Sequence, residues 1–171
     1  RARLLTGLHE LFRGLKGREL PLYSADPKTR VEKKRGISFF IQGGPIPGRS
    51  TLSRIEVVDV RYIDREKSEV KLALKFHPTY VGIPVFCTES AAVVSATPED
   101  IVLTAAPLCS WLAIGNGVFK LQWSIDSVDV EKGVVGGYWS MRGAGVPLVG
   151  GGSGYMIARF KEAPPEPKPQ P

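Results

Sequence analysis

Between Glu69 and Phe76 the side chains alternate without a break. Val70, Leu72, Leu74 and Phe76 fall on one side, and Glu69, Lys71, Ala73 and Lys75 on the other. A period of two belongs to a strand with one buried face. Leu52–Ile63 (LSRIEVVDVRYI) comes before it and is rich in β-branched residues, which suit a pleated surface. The link between the two, Asp64-Arg65-Glu66-Lys67, is short and polar. The pair reads as a long antiparallel hairpin.

A second hairpin obeys the same logic. Phe119, Leu121, Trp123 and Ile125 alternate with Lys120, Gln122, Ser124 and Asp126, after which the apolar parity slips to Val128 and Val130. The slip predicts a bulge or a change of sheet. Glu131-Lys132-Gly133 forms the turn and Val134–Met141 returns. Val81–Val94 and Gly154–Phe160 supply further strands. Trp123 shares the parity of the buried set. Tyr138 and Trp139 are neighbours, so a strand places their rings on opposite faces. The expected body is mainly β and antiparallel, with seven or eight strands in a sandwich or jelly roll.

Other segments depart from this pattern. Residues 2–16 (ARLLTGLHELFRGLK) place Leu4, Leu8, Leu11 and Leu15 on one helical face, widened by Leu5 and Phe12. Gly7 and Gly14 each weaken that helix by about 1 kcal/mol relative to alanine, so it is expected to lie against protein. Thr97-Pro98-Glu99-Asp100 has the composition of a helix start, an N-cap threonine, a first-turn proline and then acids. It predicts a short inserted helix, limited by Pro107. Gly133–Gly154 holds nine glycines in 22 residues and reads as a mobile loop. Residues 163–171 (APPEPKPQP) read as an extended proline-rich tail. The expected organisation is 1–36 as a basic helix and arm, 37–162 as the β domain, and 163–171 as the tail.

Charge is unevenly spread. Residues 1–36 hold ten of the 23 basic and four of the 17 acidic side chains, and the rest of the chain holds thirteen of each. The whole net charge of +6 therefore lies on the N-terminal arm, and residues 17–36 read as its extended connector. Such asymmetry points to a polyanion. The candidate contacts are Arg13, Lys16, Arg18, Lys28, Arg30, Lys33, Lys34 and Arg35, for RNA rather than DNA, or for an anionic membrane surface.

Gly43–Ser50 (GGPIPGRS) is nearly a phosphate-binding loop, but Pro45 and Pro47 remove backbone donors and Arg49 replaces the lysine. The residues after Ser50 alternate as a strand where a helix should begin, so the segment reads as a turn between strands. His9 and His77 do not match a zinc spacing with Cys87 and Cys109. The two cysteines sit in apolar contexts and read as buried thiols of a reducing compartment, with a disulfide between them as the alternative, since sequence does not show the distance between them. Neither cofactor nor metal is expected. No apolar run approaches the roughly 18–20 residues needed to cross a bilayer.

A basic N-terminal arm on a neutral β body is similar to the arrangement of small viral structural proteins. The resemblance implies a non-enzymatic, self-associating protein of coat, matrix or movement type, cytoplasmic or virion-associated, forming homo-oligomers. Two further readings fit the same pattern. One is a small-ligand or lipid-carrying barrel, with the helix over its mouth and Gly143–Gly154 as portal. The other is an adaptor domain of a cellular complex.

Overall fold

The long strands are interrupted where they must bend. Gly48–Asp64 (β4) shifts register against Glu69–Tyr80 (β5) in three places, after Leu52, Val57 and Val60. Gly115–Asp129 (β11) shifts once against Val134–Ala144 (β12), between Ile125 and Ser127. That is where the apolar parity of the sequence slips. Each bulge coils its strand, and coiled strands can close on themselves.

The computed structural model describes residues 2–42, 48–97, 99–111, 115–144 and 149–161. The helix Ala2–Phe12 (α1) is followed by Glu19–Ala25 (β1), Glu32–Arg35 (β2), Ile37–Gln42 (β3), β4 and β5. Ile83–Pro84 (β6), Phe86–Cys87 (β7), Ser90–Ala96 (β8), Ile101–Ala105 (β9) and Leu108–Trp111 (β10) come next. The chain then forms β11, β12 and Val149–Arg159 (β13). The order β1-β4-β5-β8-β9-β11-β12-β13 returns to β1, giving a closed eight-stranded antiparallel barrel. This corrects the sandwich or jelly-roll expectation. Ring neighbours succeed one another along the chain, and pairing of β1 with β13 leaves no second sheet to pack against. The gap between β13 and β4 is shared, with β1 filling the half nearer α1 and β3 the other half.

The interior is filled. Leu72, Leu74, Leu103, Leu121, Trp123 and Met156 surround a wholly apolar void of about 20 Å³. An eight-stranded barrel is just wide enough for its own side chains. α1 plugs one end, with Leu8, Phe12 and, just beyond the helix, Leu15 buried and the Phe12 ring edge-on to Phe160 at 5.3 Å. Each such side chain contributes roughly 1.5–3 kcal/mol. Gly7 is the point of contact, since a Cβ there would stand 2.9 Å from Val130 Cγ2. The helix therefore docks on its own chain.

Four expectations change. Among the described residues of 97–105 there is no helix. Thr97 Oγ1 accepts hydrogen bonds from the amides of Glu99 and Asp100, as an N-cap would. The chain then runs into β9, whose β-branched residues pair on both sides, with β8 and β11. Cys87 and Cys109 are joined by a disulfide across β7 and β10; such bonds are rare in the reducing compartment that free thiols suit. Gly136, Gly137, Gly150, Gly151, Gly152 and Gly154 lie in strands, where the Trp139 ring occupies the space beside Gly152 and Gly154. Residues 17–36 contain β1 and β2, so part of the expected connector is barrel wall. Residues 43–47, most of the near-miss phosphate loop, and the tail 163–171 lie outside the described residues. Among the described residues no helix is long and apolar enough to cross a membrane.

Candidate polyanion-binding site

At the end plugged by α1, four segments converge on a cleft of about 340 Å³ lined by five cations, Arg18, Arg35, Arg54, Arg159 and Lys161, and one acid, Glu19. Arg18 is set by a tight turn. Its amide donates to Leu15 O, while the Gly17 amide donates to Val57 O and the Val57 amide to Arg18 O. Gly17 takes φ +80°, open to glycine at little cost. The bulge between Leu52 and Ile55 keeps both of those residues in the core and leaves Arg54 half-exposed at the rim. Arg35 comes from β2 and donates from Nε to Ser53 O at 3.0 Å. Arg159 ends β13, and Lys161 lies just beyond, with its ammonium on Val130 O at 3.0 Å.

Acids do not balance this cluster. Glu19 lies 2.7 Å from Arg54, and Glu32 lies 2.6 Å from Arg159. Arg18, Arg35 and Lys161 have no carboxylate partner among the described residues. Tyr23 stands between Arg35 and Arg159, whose guanidinium carbons lie 5.3 and 5.4 Å from its ring centre. Cation–π contact with the one ring holds the two forks in place. Planar guanidinium forks grip phosphate oxygens through paired N–H donors. The cleft is therefore equipped for an anion with several oxygens.

The eight cations expected from sequence do not form one patch. Arg18 and Arg35 line the cleft. Lys28, Lys33 and Lys34 are exposed on and before β2. Arg30 is turned back onto the barrel, with Nη2 3.1 Å from Asp126 Oδ2. Tyr155 donates to the other oxygen of Asp126 at 2.6 Å, and burial and the hydrogen bond to Asp126 hold its phenol well above the ordinary value. This trio pins the β1–β2 hairpin to the outer wall. Lys16 lies 3.8 Å from Asp59. Arg13 lines a separate cavity of about 330 Å³ with His9 and Arg65. Arg54, Arg159 and Lys161 were missed because the body nets to zero charge. For Arg159 and Lys161 the sequence signal is the cation pair flanking Phe160, and for Arg54 there is none.

The chemistry considered for the histidines and cysteines is not assembled. Both thiols are consumed by the disulfide. His77 Nε2 lies 3.2 Å from Glu56 Oε2 across β5 and β4. Among the described residues, no three His, Cys, Asp or Glu side chains are grouped to hold a metal. Comparison of the chain with family models, with curated proteins and with solved structures finds no match.

Proposed function

We propose that this protein is a non-enzymatic binding protein that takes single-stranded RNA by its phosphate backbone. The observation that carries the proposal is the convergence of five cations from four chain segments on one cleft, three of them without an acid. A flexible single strand can turn a phosphate into a cleft of this size. Lys28, Lys33 and Lys34 are further exposed cations of the N-terminal segment. The closed barrel is the architecture of a small-ligand carrier, but here side chains occupy the interior where a carrier holds its cargo.

Fluorescence anisotropy with labelled single-stranded RNA across a salt series tests this. Each neutralised phosphate contributes about −0.7 to the log–log slope. The double variant Arg54→Gln/Arg159→Gln should bind more weakly and lose about 1.4 from the slope. An unchanged affinity and slope would overturn the assignment of the cleft.

A further inference from the structure

The other end of the barrel has the opposite chemistry. All 23 basic and 17 acidic residues lie outside four segments, 36–48, 76–88, 101–119 and 143–158. Among the described residues of these segments, those that lie farthest from α1 are the end of β3, the start of β4, the β5–β6 turn, β7, β10 and the start of β11. Large apolar side chains protrude there. Phe86 is 80% exposed and Val81 71%, with Ile83 and Leu108 also exposed. Val81 holds its place at φ +50°, a strained conformation for a β-branched residue. The disulfide ties β7 to β10 beneath Phe86 and Leu108.

Cations border this end on one side. Lys120 is paired directly opposite Arg142, which faces Gly151; Gly151 faces Phe40, and Phe40 faces Arg49. Like charges opposite one another across a ladder are destabilising. Lys120, Arg142 and Arg49 have no ion-pair partner among the described residues, Arg49 reaching only Ser38 Oγ at 3.4 Å. Beside Lys120 and Arg142, the small side chains of Ala91 and Ala106 open an outer groove of about 520 Å³, also lined by Thr104 and Gln122. On the remaining side the border is Lys75 and Glu89, the latter 2.7 Å from Arg61.

We propose that this uncharged end docks on the surface of an anionic membrane. Val81, Ile83, Phe86 and Leu108 enter the interface, and Lys120, Arg142 and Arg49 meet the headgroups. An apolar tip with an adjoining basic row is the composition that binds anionic lipid. A second copy meeting this end symmetrically would bring the unpaired cations together, and charge complementarity therefore favours lipid.

Vesicle flotation of the full chain tests the proposal, with phosphatidylcholine alone and with about 30 mol% phosphatidylserine added. The protein should float with the anionic vesicles. Phe86→Ser and Lys120→Gln/Arg142→Gln should each weaken partitioning roughly tenfold, with circular dichroism and RNA affinity unchanged. Tyr62→Ser, at an exposed aromatic near the opposite end, should float like the parent. Absence of flotation, equal flotation of all variants, or a dimer lost in Phe86→Ser without flotation would each overturn the proposal, the last by making this end a self-association surface.

Discussion

At the scale of single residues, two buried polar atoms lack a hydrogen bond among the described residues, Trp123 Nε1 and His9 Nε2. An unpartnered buried donor or acceptor costs about 1–3 kcal/mol. His9 is 4% exposed on the inner part of α1. Burial, then the charges of Arg65 and Arg13, lower its pKa from the ordinary 6.5. The unfolded chain therefore takes up this proton before the folded chain does. The associated stability is present above about pH 6.5 and lost as the pH falls through the depressed value. Melting temperature should decline on acidification from about pH 7 to pH 5, and His9→Leu should flatten that decline. An equal decline in both proteins would remove His9 as its source.

At the scale of elements, the pattern of the strands was legible and the placement of the glycines was not. The hairpins of β4 with β5 and β11 with β12 come from alternation, and the bulge in β11 from the shift of parity after Ile125. The opposite exposure of Tyr138 and Trp139 obeys the same rule, with Tyr138 52% exposed and Trp139 buried. Thr97 misled because a hydroxyl that caps a helix can equally close a hairpin turn. The residues after the turn decide between the two, and here they form a strand in mid-sheet. Glycine enrichment looked like a loop because composition does not reveal what lies across the ladder. At Gly137 a Cβ would collide with the carbonyl oxygen of Ser124 and stand 2.8 Å from Ile125 Cα. Both atoms are backbone of β11 and cannot yield separately. Gly137→Ala should destabilise by about 1–3 kcal/mol, read as a lower denaturant midpoint. Gly14→Ala, with nothing within 4 Å, should be neutral or raise stability by up to about 1 kcal/mol. Equal effects of the two would contradict the close-approach account.

At the scale of the molecule, the excess charge located in the first 36 residues was a true signal of composition but an incomplete map. Folding sends Arg30 to Asp126 and Lys16 to Asp59, and brings Arg54, Arg159 and Lys161 from the neutral body beside Arg18 and Arg35. A net sum over a segment does not show which acids its cations will meet. Removal of residues 1–36 would also remove β1, one of the eight ring strands, so the arm cannot be tested by truncation. Among the described residues, the barrel carries a cluster of cations beside the α1 plug and an uncharged, partly apolar set of side chains at the far end. The direct test is flotation with anionic vesicles in the presence of saturating labelled RNA. Independent ends predict that protein and RNA float together, and that Arg54→Gln/Arg159→Gln carries less RNA at equal protein. Release of the protein from vesicles by RNA would show that both ligands compete for the same cations and would contradict the two-ended barrel.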